Sequence, residues 1–96
     1  MVRHIVLFKL KDNSTENCLK AKEVLLSMKG KVPELRSIEV GVDYLHSERS
    51  FDLALIVTVD NKEALEQYQL DPYHCSVVKT HMHAVRSDSV ALDFEF

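Results

Sequence analysis

The chain is poor in the residues that punctuate or staple a fold: of its 96 residues, two are glycine, two proline, two cysteine and none tryptophan. Each scarcity removes a class of protein. Phosphate-cradling loops and dinucleotide fingerprints need clustered glycines, and Gly30 and Gly41 stand apart outside any such cluster. Cys18 and Cys75 are solitary, which excludes a disulfide framework and a paired-cysteine zinc site; reduced, buried thiols are expected. No apolar run approaches the ~20 residues of a membrane helix, so membrane is not a partner. Basic residues are outnumbered, 12 to 15, for a formal charge of −3. Lys9, Lys11, Lys20, Lys22, Lys29 and Lys31 are spaced or interrupted by acidic residues and form no basic stripe, so nucleic acid is not expected either. The sequence enters an alternating apolar pattern at Val2 without a leader pattern, which makes a cytoplasmic location the expectation.

What is present reads as one domain over residues 1–96, able to bury roughly two-thirds of its unfolded surface. Val2 to Lys11 alternates as a strand, with His4, Val6, Phe8 and Leu10 on one face and Ile5 and Leu7 on the other. Asn13 or Ser14 caps a helix whose Cys18, Ala21, Leu25 and Met28 recur at helical spacing, and Gly30 and Pro33 end it. Leu35 to Leu45 and Phe51 to Asp60 read as strands joined by a short polar hairpin loop. Asp60 and Glu63 resemble a capping box for a short helix carrying Ala64, Leu65 and Tyr68. Pro72 breaks that helix and starts another, with Asp71 as its cap and with His74, Val78, His81, Met82 and Val85 on its inner face. Val90 to Phe96 reads as a closing strand.

Strand, helix, strand, strand, helix pair, strand is the order of an α+β, ferredoxin-like βαββαβ fold: a four-stranded antiparallel sheet with helices on one side. Ile5, Leu7, Ala54 and Ile56 make the centre of the second sheet face apolar as well. One copy of the chain cannot cover both faces, so a homodimer pairing into an α+β barrel, or a higher oligomer built from it, is expected.

The Pro72 corner holds Tyr68 on the last turn of one helix and His74 on the first turn of the next. His4, on the strand face that meets the helices, is placed to converge with them at a pocket lined by Val6, Phe8 and Val78. There a neutral His74 can remove a proton from carbon beside a carbonyl, the Tyr68 phenol can hold the oxygen that gains charge, and His4 can orient the group. Each residue also has a plainer role, since an inward histidine is more often a hydrogen-bonded core residue and a buried tyrosine more often packs its ring. No metal is expected, because His74 and His81 lie about 10 Å apart by helix rise and no paired ligand motif exists. No cofactor is expected. Ser14 and Ser76 lack the signal of a triad. Asp93 is either an interface polar group or a histidine partner, and the former is expected.

Three blocks, Val2-Arg3-His4-Ile5-Val6-Leu7-Phe8-Lys9-Leu10, Phe51-Asp52-Leu53-Ala54-Leu55 and Tyr68-Gln69-Leu70-Asp71-Pro72-Tyr73-His74, together resemble the stress-responsive A/B barrel (Dabb) family, with Ala91-Leu92-Asp93-Phe94 as the closing strand. The resemblance implies a dimeric α+β barrel, and for most members no assigned reaction. Some plant members are stable stress-associated oligomers. One is a cofactor-free polyketide cyclase that performs an intramolecular aldol condensation. Its base, assisting tyrosine and first-strand histidine fall by motif on His74, Tyr68 and His4. Where many members carry His-Pro-x-His, this chain has Asp71-Pro72-Tyr73-His74, and the polyketide substrate is not carried over. Three functions follow: a dimer of unassigned activity that binds a small hydrophobic molecule, a cofactor-independent cyclase or aldol-type enzyme, and a purely structural oligomer.

Overall fold

The alternation of Val2–Leu10 produces the strand on which the sheet is assembled. In the computed structural model, which describes residues 1–96, this strand, β1, is flanked on both sides by antiparallel partners. The other elements are α1 (Thr15–Leu26), β2 (Ser37–Val42), β3 (Leu53–Val59), α2 (Lys62–Leu70), a π-helical segment (His74–Lys79), α3 (Thr80–Val85) and β4 (Arg86–Glu95). The sheet order is β2-β3-β1-β4, the ferredoxin-like arrangement expected from the element order. The register pairs His4 with Val57 and Asp93, and Val6 with Leu55 and Ala91, so these residues share the helix-covered face.

The core lies between that face and the helices. Leu53, Leu55, Val57 and Val59 from β3 meet Ala21, Leu25 and Met28 from the α1 side and Tyr68 from α2. Ser14 caps α1, its hydroxyl accepting from the Asn17 N–H at 3.3 Å. Gly30 takes the left-handed conformation, φ +81°, that turns the chain away after the helix. At α2 the expected cap is displaced by one residue. Asn61 rather than Asp60 accepts from the Ala64 N–H, at 2.8 Å, because the Asp60 carboxylate is held by Arg36 through two bonds of 2.7 and 2.6 Å.

Strand ends also differ from expectation. β2 stops at Val42, since the Asp43 carboxylate accepts from the His46 N–H at 2.7 Å and His46 turns left-handed, φ 53°. β3 starts at Leu53; just before it the Asp52 backbone still bonds the Phe8 carbonyl and the Asp43 N–H, at 2.8 and 2.9 Å, while its carboxylate accepts from the Leu10 N–H at 2.8 Å and from Asn13 at 3.1 Å. β4 begins at Arg86 rather than at Val90; the Ser87-Asp88-Ser89 stretch is strand, with an irregularity in register opposite Lys9 and Leu10.

The second sheet face carries Ile5 and Leu7 of β1, Ala54 and Ile56 of β3, and Val90, Leu92 and Phe94 of β4. The chain has no helix on that side. Leu92 is 62% exposed, Val90 47% and Phe94 37%. No helix of the chain is long and apolar enough to cross a membrane.

Candidate functional site

A cavity of about 220 Å³ lies between the sheet and the paired helices, and His4, Tyr68, His74, Val6, Phe8 and Val78 all line it. The predicted convergence of the three chemical residues is therefore present in the fold, with the three apolar residues around them. The volume falls a little below the ~300–1,000 Å³ of ordinary small-molecule sites, which suits a compact ligand.

The corner at Pro72 places Tyr68 and His74. Pro72 stops α2, and Asp71 Oδ1 accepts from the backbone N–H groups of Tyr73 at 2.9 Å and His74 at 3.1 Å, capping the next turn as its sequence position suggests. Tyr73 pins the corner to α1 by donating its hydroxyl to Ser27 Oγ at 2.8 Å. The Tyr68 and His74 rings then stack at 4.4 Å between centroids, and His4 meets Tyr68 edge-on at 5.8 Å. Tyr68 is wholly buried. Its hydroxyl donates to Met28 Sδ at 3.7 Å, a weak acceptor that an oxygen would outcompete.

The imidazoles differ in their surroundings. His4 is bonded through Nδ1 to the Asp93 carboxylate, the residue opposite it in the register. The expectation that Asp93 serves an interface is thereby corrected: it lies on the inner face with His4, and the histidine recruits it as a partner. By contrast, His74 Nδ1 is buried and has no hydrogen-bond partner. Burial, and then the Lys79 ammonium, holds His74 below the ordinary histidine range; the Gln69 carbonyl and the Asp71 carboxylate oppose that shift, and His4 adds to it. Burial also pushes the Tyr68 phenol up, with Asp71 as the second cause, so the hydroxyl stays protonated and able to donate.

Periodicity placed His81 on the inner face with His74. It is half-buried and does not line the cavity; His83 stands at the mouth instead, together with Lys79 and Arg86. The π-helical segment is the reason. Its i→i+5 bonding inserts an extra residue per turn, so the inner face drifts toward later residues than a uniform α-helix would present. Gln69, Ser89 and Met82 also line the cavity; of these only Met82 carries a periodic signal in the sequence.

Fold and cavity define a class, the ferredoxin-like α+β protomers with a histidine- and tyrosine-lined cavity between sheet and helices. More particularly, the chain belongs to the stress-responsive A/B barrel domain family, whose model matches residues 2–96. It is 31% identical over 77 residues to an uncharacterized protein of Streptomyces coelicolor, covering 77% of this chain and 79% of that one. Among solved structures, a dimeric ferredoxin-like protein of unknown function from Bacteroides fragilis superposes with a TM-score of 0.82 at 28% identity, over 99% of this chain and 95% of that one. Another dimeric ferredoxin-like protein of unknown function, from Thermobifida fusca, gives a TM-score of 0.84 at 24% identity, over 99% and 90% of the two chains.

Proposed function

We propose that residues 1–96 act as one domain, a homodimer in which each protomer holds a small, mostly apolar carbonyl compound in the cavity beside His74. The observation that carries this reading is the buried His74 Nδ1, which has no protein partner and faces a neighbourhood that keeps the ring neutral. A buried polar atom without a partner is costly, on the order of 1–3 kcal/mol, and a ligand proton or a proton taken from a ligand would satisfy it. Pairing of copies is supported by the uncovered apolar face around Ile5, Leu7, Ile56 and Leu92, and by the dimeric state of the Bacteroides fragilis relative.

The chemistry that fits is proton removal from carbon next to a carbonyl, the first step of an aldol-type ring closure. His74 takes the proton as general base, Tyr68 turns its hydroxyl from Met28 to the oxygen that gains charge, and the Asp93-held His4 fixes the position of the Tyr68 ring edge. The test is hydrogen–deuterium exchange at the methyl group of acetophenone in D2O, followed by proton NMR. The protein is expected to accelerate exchange above buffer, and His74→Gln to abolish the acceleration while leaving the circular dichroism spectrum intact. Exchange no faster than buffer would remove the catalytic role. Absence of any shift in the histidine resonances on adding acetophenone would remove the binding role too.

A further inference from the structure

We propose that the His74 cavity takes a small carboxylate, its anionic head held at the mouth by Lys79 and Arg86 and its apolar body against Phe8, Val78 and Met82. This names the ligand class for the site read above and rests on that reading.

The charge of the cavity runs against that of the chain. Acidic residues outnumber basic ones by 15 to 12 overall, yet the cavity is lined by Lys79 and Arg86 and by no aspartate or glutamate. Neither cation is neutralised within the protein. The carboxylates that pair with basic side chains do so elsewhere: Asp93 with His4, Asp60 with Arg36, Asp43 with His46 and Glu95 with Lys62. Lys79 Nζ reaches only the Gln69 carbonyl, at 3.5 Å, and the Arg86 guanidinium donates to no protein acceptor. Both side chains are partly buried rather than extended into solvent. A guanidinium has a planar fork of donors that matches a carboxylate, and an ammonium beside it adds a second charge-assisted bond.

Two separate departures from regular geometry aim these cations at the same opening. In an α-helix of 3.6 residues per turn, a residue five beyond His74 would point well away from it. The i→i+5 bonding of the His74–Lys79 segment brings Lys79 round to the side of His74. On β4, Ser89 faces inward opposite Phe8, so strict alternation would send Ser87 inward and Arg86 outward. The register instead pairs Lys9 with Asp88 and Leu10 with Arg86, skipping Ser87, and this bulge returns Arg86 to the inner face. Regular secondary structure in both places would leave the mouth without either charge.

The experiment is an NMR or calorimetric titration of the full chain with phenylacetate and with its neutral isostere, phenylacetamide. Phenylacetate is expected to bind at least about tenfold more tightly than the amide, as loss of a charge-assisted bond implies. Arg86→Gln is expected to erase most of that preference and Lys79→Met to reduce it; should one variant fail to fold, the other decides. Equal affinity for the two probes, or a preference that survives in Arg86→Gln, would overturn the carboxylate assignment while leaving the cavity as a ligand site. Binding of neither probe while acetophenone still shifts the histidine resonances would overturn the carboxylate assignment alone; no response to any of the three compounds would overturn both readings.

Discussion

Tyr68→Phe separates a hydroxyl kept for the fold from one kept for a ligand. The substitution retains the ring, and with it the 4.4 Å stack on His74 and the 5.8 Å edge contact with His4. Only the bond to Met28 Sδ at 3.7 Å is lost. A neutral hydrogen bond contributes about 0.5–1.5 kcal/mol net, and a long one to a thioether belongs at or below the bottom of that range. The sulfur left behind needs no partner, and phenylalanine is easier to bury than tyrosine. The net change in stability is therefore expected within about 0.5 kcal/mol, which moves a urea midpoint by at most about 0.5 M. Removing the whole wholly buried ring, by contrast, costs about 3–5 kcal/mol, so Tyr68→Ala is the positive control. Urea unfolding followed by circular dichroism, at one protein concentration for all three proteins, provides the comparison. The same Tyr68→Phe protein should lose about 10²-fold in acetophenone exchange if the hydroxyl holds the developing negative charge. A loss of more than about 2 kcal/mol in stability with exchange unaffected would show the hydroxyl to be a structural group and refute its assignment to a ligand.

Three further outcomes follow from the geometry. His74 is held below its ordinary value of 6.5, so as pH falls below that value the unfolded chain takes up a proton that the folded one refuses. Stability is expected to be complete above about pH 6.5 and to decline below it until the folded-state pKa is passed; His74→Gln should flatten this part of the profile in urea titrations, and an unchanged profile would contradict it. Asp93→Asn removes the charge that holds His4, and with nearly half of the aspartate side chain in water (46%) the cost should be about 1 kcal/mol, read as a urea-midpoint shift. Leu92→Lys places a charge in the middle of the uncovered sheet face, and sedimentation is expected to find a dimer for the parent protein and a monomer for the variant; a variant that still dimerises would place the interface elsewhere.

Much of the architecture was legible because it rests on local patterns that carry their own period. The alternation in β1 and β3, the Ser14 cap and the Asp71-Pro72 corner each specify a conformation from a few neighbouring residues, and the corner alone brings Tyr68 and His74 together. Asp93 escaped for a different reason. Alternation shows that it lies opposite to Leu92 and Phe94, but only the register across β1 and β4 reveals that it faces His4. Lys79 and Arg86 were hidden more deeply, since a π-helical turn and a bulge each insert a residue, and a uniform period rotates both side chains to the wrong side. The cap at α2 was misplaced because Asp60 was claimed by Arg36, 24 residues away in sequence. What local pattern cannot see is competition from a distant partner.

The two faces of the sheet are tied to each other through β1. Its even positions, His4, Val6 and Phe8, line the cavity, and its odd positions, Ile5 and Leu7, belong to the uncovered face. On β4 the same division puts Asp93 toward His4 and its neighbours Leu92 and Phe94 on the other side. A slip of one residue in either strand would exchange these roles, burying interface residues and expelling the histidine or its partner. A second copy covering the outer face would therefore do more than hide apolar surface. It would oppose the slip that separates His4 from Asp93, and because β4 is an edge strand whose only strand partner in the chain is β1, it is the strand that would gain most from that cover. On this reading assembly and cavity are one design: the apolar side chains that make a lone protomer unfavourable are the alternate residues of the strands that set the site.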